Sequence, residues 1–325
     1  MRERAVVRIL FHREFGARRA AMTVAALAGA LVSACAPARA PAPTPAPVTL
    51  SPLPDHRIHD TQADRPVGFE AVVERAAGAD VVVFGEQHFD PGTHQLQLSL
   101  LEALAARGVD VVLSLEMIER DVQPVLDAYL AGEITEEAFL AGSRPWSNYQ
   151  TDYRPLVEYA RALGWPVVAA NVPRPLASRV SREGLGFLET LQPEERALAA
   201  AEIICPHDQY YENFVEVMSQ GGHDMMMAVD RFYEAQCIKD ETMAESIVRA
   251  LDEHPGAVVV HMNGAFHSDF GLGTVDRIAR RAPAADIVVL TTIPLPDLDT
   301  LPTAEHRDRA DYLLFTVRPA SEAND

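Results

Sequence analysis

The sequence has few basic residues, and Lys239 is its only lysine. Its 28 Lys and Arg stand against 47 Asp and Glu, so the 325-residue chain carries a formal net charge of −19. Proteins that bind nucleic acid need basic patches, and so does electrostatic attachment to anionic lipid. The composition therefore argues against both kinds of partner.

Cysteine is equally scarce. Three are present, at positions 35, 205 and 237, and none lies in a CxxC pair or beside the residues that would activate a nucleophile. In an exported protein Cys205 and Cys237 could form a disulfide, or they could remain two free, buried thiols. A catalytic role for either one is not indicated.

The amino-terminal apolar stretch, Ala20–Val32, is too short to span a bilayer comfortably. It follows an arginine-rich start, which is typical of an export signal. It ends in Leu31-Val32-Ser33-Ala34-Cys35, a sequence similar to a bacterial lipobox. Residues 1–34 are therefore predicted to be a lipoprotein signal peptide, with Cys35 as the lipidated first residue of the mature protein. The alternative is a plain secretory signal cut after Ala38 or Ala40.

Residues 35–65 are predicted to be a tether. Ala36–Pro54 is rich in Ala and Pro and nearly uncharged, so it cannot build a core, and folded sequence is expected to start near Pro66. A lipid anchor at Cys35, a tether and an acidic body predict a cell-envelope protein that is held at a membrane and faces water. By analogy with lipoprotein sorting in Gram-negative bacteria, Ala36 favours the outer membrane, facing the periplasm.

Residues 66–325 are predicted to form one α/β domain. β-branched runs that are typical of buried parallel strands occur at Val81–Phe84, Val111–Leu115, Val167–Ala170, Ala257–His261 and Ile287–Leu290, with a last strand at Tyr312–Val317. Helical patterns between them predict a mostly parallel sheet flanked by helices. Residues 175–253 carry no strand pattern and are predicted to be a smaller inserted helical lobe, with helices at Arg196–Ile204, Gln209–Met218, Met225–Cys237 and Glu241–Leu251.

Two G-x-x-H steps, Gly85–His88 and Gly264–His267, each follow one of these strands. Ligands of open α/β sheets collect at the carboxyl ends of the strands, where six polar residues are expected to converge: Glu86, His88, Glu116, Asn171, His261 and His267. Glu86, His88 and His267 are candidate ligands of a divalent metal ion. The same three, with Glu116, are candidate catalytic residues of a hydrolase. For any single one of the six, satisfying a backbone group is the simpler role; their convergence favours a site.

Several short motifs fall in the order found in the ChaN-like haem-binding lipoproteins, which the chain resembles over most of residues 70–290. They are Phe84–His88, His94-Gln95, Ser114–Met117, Tyr149–Pro155, Ala170–Arg174, Gln236 with Asp240–Ala244, and Gly264–His267. The wider superfamily includes the Tiki proteases and the erythromycin esterase-like enzymes. The resemblance implies a lipoprotein that binds haem during iron uptake and works with a haem transporter or receptor. It also implies a ligand-linked homodimer that encloses two stacked haems, with tyrosine as the iron ligand.

The resemblance also implies a set of haem-binding residues. The candidate iron ligands are Tyr149, Tyr153, Tyr210 and Tyr211, since tyrosinate suits ferric haem. Candidate partners of the propionates are Arg144, Arg154 and Arg174, and candidate apolar contacts are Trp146, Met225–Met227 and Phe232. Each of these residues also has an ordinary structural role available.

Three hypotheses therefore remain. The resemblance favours a lipid-anchored haem-binding protein, the paired G-x-x-H steps would also serve a metal-dependent hydrolase of the Tiki or esterase type, and a periplasmic scaffold is the third. Whether the protein is an enzyme is left open.

Overall fold

The structure is a computed structural model that describes residues 50–219 and 228–318. The predicted signal peptide, the predicted lipidation site Cys35, residues 35–49 of the predicted tether and Met225–Met227 lie outside the described residues. No helix in the described ranges is long and apolar enough to cross a membrane.

Within the described residues, an eight-stranded sheet has the strand order β2-β1-β8-β7-β3-β6-β4-β5. The strands are β1 His56–Asp60, β2 Arg65–Val67, β3 Val81–Glu86, β4 Val111–Glu119, β5 Val167–Asn171, β6 Val258–Gly264, β7 Ile287–Leu295 and β8 Tyr312–Val317. Strands β3 to β8 pair in parallel, whereas β1 is antiparallel to both β8 and β2. The predicted mostly parallel α/β fold is confirmed.

Folded sequence begins at β1, before the predicted start near Pro66. The short sequence His56-Arg-Ile-His-Asp is mostly polar, and Ile58 is the only aliphatic residue that it buries. Pairing with β8 satisfies its backbone without a strong hydrophobic pattern. The tether expected over residues 35–65 therefore does not extend to residue 65.

The helices cover both faces of the sheet. They are α1 Phe69–Ala77, α2 Pro91–Ala106, α3 Gln123–Leu130, α4 Glu136–Ser143, α5 Arg154–Leu163, α6 Arg174–Glu183, α7 Pro193–Arg196, α8 Gln209–Ser219, α9 Val229–Glu253, α10 Thr274–Arg281 and α11 Thr303–His306. One face packs against α2 through Leu96, Leu100 and Leu104, at the predicted spacing of four. On the other face, Ala244 and Ile247 of α9 pack against valines of β3 and β6.

The described residues of region 175–253 form helices and no strand, as predicted, but the helices begin and end at other residues than predicted. The two helices predicted at 225–237 and 241–251 are replaced by α9, one helix of 25 residues that also packs on β5. The helix predicted at Arg196–Ile204 is wrong. The Arg196 side chain donates to the carbonyls of Ala199, Ala200 and Ala201. The backbone amides of Ala200 and Ala201 donate to side chains of α9, those of Thr242 and Glu245. These bonds replace those of a continuing helix.

Strand β5 lies at one edge of the sheet, and a side chain covers part of its outer side. The Gln123 amide donates to the Val167 carbonyl at 2.9 Å and accepts from the Ala169 amide at 2.7 Å. Gln123 therefore bonds to this edge as the backbone of a neighbouring strand would.

Candidate functional site

The two G-x-x-H steps lie side by side at the carboxyl edge of the sheet. Strands β3 and β6 are neighbours, and their register pairs Gly85 with Asn263 and Glu86 with Gly264. Both glycines are required by close packing rather than by a left-handed backbone. A Cβ on Gly85 would lie 2.8 Å from the Ser268 hydroxyl, and one on Gly264 would lie 2.8 Å from Nε2 of His88. Larger residues at these two positions would therefore push the site apart.

One group of site residues is built on Glu86. Its buried carboxylate is hydrogen-bonded by Nδ1 of His88 at 2.8 Å, the Tyr153 hydroxyl at 2.6 Å and the Gln97 amide at 2.6 Å. His94 bonds to Gln97 and to the carbonyl of His88, which places it behind these groups and out of solvent. Burial would lower the pKa of His88, but its hydrogen bond to the Glu86 carboxylate and the charge of Glu116 raise the pKa overall.

A second group is built on His267. Nδ1 lies 2.7 Å from Asp240 of α9, and Nε2 lies 3.4 Å from Glu116 of β4. Burial alone would lower the pKa of His267, but these two carboxylates outweigh it and raise the pKa to about 10. Burial alone would raise the pKa of Glu116 and of Asp240. The charge of the His267 imidazolium outweighs burial and holds both pKa values below their ordinary range. The group is a buried cation between two buried anions.

Further hydrogen bonds hold these anions in place. Thr274 donates to Asp240 at 2.8 Å and Tyr210 does so at 2.9 Å, while the Gly264 amide donates to Glu116 at 2.7 Å. Gly264 contacts both groups, because its Cα also lies against His88. The two groups therefore form one connected edge of the sheet.

This arrangement does not support the predicted metal site at Glu86, His88 and His267. In the described ranges, no group of three or more His, Cys, Asp and Glu is placed to hold a metal ion. The physical reason is that both nitrogens of His267 face carboxylates and both oxygens of Glu86 are hydrogen-bonded. The raised pKa of His267 favours its protonated form, which has no free lone pair to act as a general base. The Glu86–His88 pair also has the geometry of an imidazole oriented by a carboxylate.

The other two of the six residues predicted to converge make different contacts. Asn171 accepts a hydrogen bond from the adjacent Val172 amide at 2.8 Å, which is a local contact. His261 is fully buried with Nδ1 2.9 Å from the Ser114 hydroxyl, and burial lowers its pKa to about 4. Nε2 of His261 has no hydrogen-bond partner among the described residues, and the charges of Glu116 and His267 also act on this ring.

Three of the four predicted haem-ligand tyrosines are buried. Tyr153 and Tyr210 donate to Glu86 and Asp240, and the Tyr149 hydroxyl has no hydrogen-bond partner among the described residues. Burial raises the pKa of all three phenols. Reaching a haem iron would require each of these side chains to leave its packing.

Tyr211 differs from these three because its side chain is only half-buried. Its hydroxyl donates to Asp230 at 2.6 Å, and this hydrogen bond raises the pKa of Tyr211. Its ring stacks on that of His207, with ring centroids 3.8 Å apart and planes 2° from parallel. Of the four candidates, Tyr211 alone can meet a ligand without unpacking the core.

The candidate arginines are engaged in ion pairs at the surface. Arg154 pairs with Glu136, at 2.5 Å. Arg144 and Arg174 both pair with the buried Glu119, and Arg174 also donates to the carbonyl of Arg144. Of the three, only Arg174 also lines a groove of ligand size.

That groove lies between α6, α8 and α9 and has a volume of about 450 Å³. Its lining includes apolar side chains, namely Phe214, Met218 and Phe232, and polar ones, namely Arg174, Gln236 and Lys239. Lys239 has no hydrogen-bond or ion-pair partner in the part of the chain that the structure describes. The Gln236 amide contacts both Tyr210 and the His267 ring, at 3.1 and 3.2 Å. We call this space the α8–α9 groove; it adjoins the His267 group.

Asp240, Gln97 and Lys239 were not among the site residues predicted from the sequence. Two signals in α9 could have found Asp240 and Lys239. Phe232, Gln236 and Asp240 recur at intervals of four, so they share one helix face, and Lys239 is the only lysine of the chain. Gln97 carried no such signal, because an amide in an amphipathic helix is ordinarily solvated.

Comparisons with known proteins agree with this fold. A family model described as haem-binding uptake, Tiki superfamily, ChaN matches residues 72–278. The chain is similar to ChaN of Campylobacter jejuni, a structure of cofacial haem binding, with a TM-score of 0.61 and 18% identity over 82% of this chain and 98% of that one. At this identity the likeness shows the fold alone.

Two other similarities are weaker or partial. The erythromycin esterase EreC in its open conformation has a TM-score of 0.49 and 12% identity over 82% of this chain and 98% of that one, too distant to support an argument. Protein RETICULATA-RELATED 5, chloroplastic, of Arabidopsis thaliana is 25% identical over 271 residues, which are 77% of this chain. The chain spans only 36% of that relative's length.

Proposed function

Because this chain belongs to the ChaN family of haem-binding uptake proteins, whose model covers residues 72–278, we propose that it binds haem in the α8–α9 groove. The observation that carries this placement is the lining of the groove. Phe214, Met218 and Phe232 offer an apolar wall beside an unpaired cation, Lys239. Haem is a flat apolar ring with anionic propionates, and it needs both kinds of surface.

The size and chemistry of the groove suit this ligand. A volume of about 450 Å³ lies in the range of small-molecule sites. Methionine and phenylalanine adapt to a flat ring, and the Lys239 ammonium, which has no competing partner among the described residues, is available to a propionate. Arg174 would contribute a second cation, although it also pairs with Glu119.

We propose Tyr211 as the residue that holds the iron. It precedes Phe214 by three residues and Met218 by seven, a spacing that places the three on one side of α8. Tyr211 itself is not part of the groove lining, so its side chain would have to turn from His207 to meet a haem there. A phenol that already donates to a carboxylate can pass its proton to that carboxylate when ferric iron takes its oxygen. Bound haem would supply iron for transport rather than a reaction on this chain.

Titration of the purified protein with hemin tests the proposal. Saturable binding with a tyrosinate-type visible spectrum is expected, and Tyr211→Phe should lose that spectrum while the matched variant Tyr149→Phe keeps it. Lys239→Ala should weaken binding by about tenfold, the scale of one charge-assisted hydrogen bond, and Lys239→Arg should restore it. A Tyr211→Phe protein with an unchanged spectrum would move the ligand elsewhere, and the absence of saturable binding would refute the function.

The finer parts of the proposal concern assembly and location. We propose that haem links two copies into a dimer and that Cys35 carries the lipid which holds the protein at the outer membrane, where it takes part in iron uptake with a haem transporter or receptor. The lipobox-like sequence and the family support these statements. Molecular mass measured during the hemin titration tests the dimer. Incorporation of labelled palmitate, expected in the natural chain and lost in Cys35→Ser, tests the anchor.

A further inference from the structure

A second cleft lies beside the edge strand β5, between α3 and α9. Its volume is about 620 Å³, and none of its described lining residues belongs to the α8–α9 groove. Apolar surface comes from Leu130, Trp165 and Pro166, and cations come from Arg120, Arg161 and Arg249. In a chain with a net charge of −19, three guanidiniums around one cleft are unusual.

Arg120 is the buried member of this set, with 8% of its surface exposed. Its two terminal nitrogens donate to Glu245, Ser246 and the Thr242 carbonyl at 2.8 to 2.9 Å. Its Nε has no hydrogen-bond partner among the described residues. A buried N–H donor without an acceptor is costly, so an acceptor supplied by a ligand would stabilise it.

Arg249 is exposed on α9 and has no hydrogen-bond or ion-pair partner within the described ranges. Burial lowers the pKa of Arg120, the ion pair with Glu245 opposes this, and the neighbouring charge of Arg249 lowers the pKa further. Arg161 is already occupied, since it lies over the Tyr129 ring at 4.5 Å. Glu245 balances the charge of Arg120, so the charge of Arg249 is the one in this cleft that an anion would balance.

The acidic residues of the cleft limit what that anion can be. Asp127 accepts a hydrogen bond from Gln123 at 2.7 Å, and Glu253 also lines the cleft. Two carboxylates would repel a ligand with several negative charges, whereas a single carboxylate between the arginines avoids them. The apolar surface of Trp165 and Pro166 suits a hydrophobic body.

We propose that this cleft binds a small organic acid, with its carboxylate at Arg120 and Arg249 and its apolar body against Trp165. This site is separate from the haem groove and independent of haem binding. Carboxylate recognition by paired guanidiniums beside an aromatic ring is the chemistry that would select such a ligand.

Tryptophan fluorescence provides the test, because the chain has two tryptophans and only Trp165 lines the cleft. In full-length protein carrying Trp146→Phe, benzoate and hexanoate should change the Trp165 emission saturably. Acetate, which has no apolar body, and inorganic phosphate should bind at least about tenfold more weakly. Arg249→Gln should weaken benzoate binding by about tenfold or more, the loss expected for one charge-assisted contact.

The matched control is Arg65→Gln, which removes the same charge from an exposed site on β2. It should leave the affinity unchanged, and circular dichroism should show both variants folded. Equal weakening in the two variants would indicate bulk charge rather than a site and would overturn the proposal. So would the absence of saturation by benzoate and hexanoate, or a preference for phosphate. Hemin titration of Arg249→Gln should match the natural chain, which separates this proposal from the haem site.

Discussion

Replacing His267 by glutamine should lower the free energy of unfolding by about 3 to 5 kcal/mol at pH 7, the range for a buried ion pair that loses one partner. The variant leaves Glu116 and Asp240 buried without the cation between them. A rise of the His267 pKa from 6.5 to about 10 corresponds to roughly 5 kcal/mol. That value is a ceiling, because the same contact also lowers the pKa of Glu116.

The pairing also sets the direction of a pH dependence. A histidine whose pKa is 6.5 when unfolded and about 10 when folded stabilises the protein fully below pH 6.5, and the stabilisation is lost as the pH rises towards 10. Glu116 behaves in the opposite way: its stabilisation is present above its ordinary pKa of 4.5 and is lost as the pH falls below it. The difference in free energy of unfolding between His267→Gln and the natural chain should therefore become much smaller at alkaline pH.

Urea unfolding at neutral pH and near pH 9 would measure both effects. His59→Gln is a suitable control, since His59 is also buried but pairs only with the exposed Asp64. The double variant Glu116→Gln with His267→Gln should be less destabilised than the sum of the two single variants, because each removes the other's partner. A loss below about 1 kcal/mol, the scale of exposed pairs, or a loss equal at both pH values, would refute the reasoning.

Three further changes have defined outcomes. Gly264→Ala should displace His88, because the added Cβ would lie 2.8 Å from Nε2 of that histidine. The free energy of unfolding measured in urea should fall by about 1 to 3 kcal/mol. An unchanged His88 ring resonance in NMR would contradict this. Of the two alternatives for Cys205 and Cys237, the structure has the disulfide, between residues 32 positions apart. Its reduction should lower the free energy of unfolding by about 2 to 4 kcal/mol, whereas a double serine variant should be insensitive to reductant. Tyr149→Phe should be neutral or slightly stabilising, because the hydroxyl it removes is buried without a described partner; a loss above about 1 kcal/mol would show that the hydroxyl is satisfied.

Much of the sheet could be predicted from sequence because its parallel strands are buried on both faces. Val81–Phe84 and Val258–Val260 are uninterrupted apolar runs, a pattern typical of parallel strands that are buried on both faces. β1 escaped prediction because its five residues are mostly polar, and Ile58 alone was a weak signal. The end of α7 escaped prediction because side-chain bonds from Arg196 override the helical propensity of the alanines after it.

The candidate site was predictable to the extent that topology determines it. Residues at the ends of adjacent parallel strands must meet, so the proximity of Glu86, Glu116 and His267 follows from strand order. Their partners do not follow from it: Asp240 reaches the site from α9, and no spacing rule connects it to His267. The metal prediction failed because suitable ligand types were present but were already paired with one another.

The bond between Gln123 and β5 has a consequence for how copies of this protein behave towards one another. An uncovered strand at the end of a sheet is a surface on which another chain can extend the sheet. Here one neutral side chain occupies the Val167 carbonyl and the Ala169 amide that such a chain would use. Resistance to aggregation at this end of the molecule thus depends on Gln123, which belongs to neither G-x-x-H step. A substitution of Gln123 would expose the strand edge to other copies while leaving every group at the carboxyl edge intact.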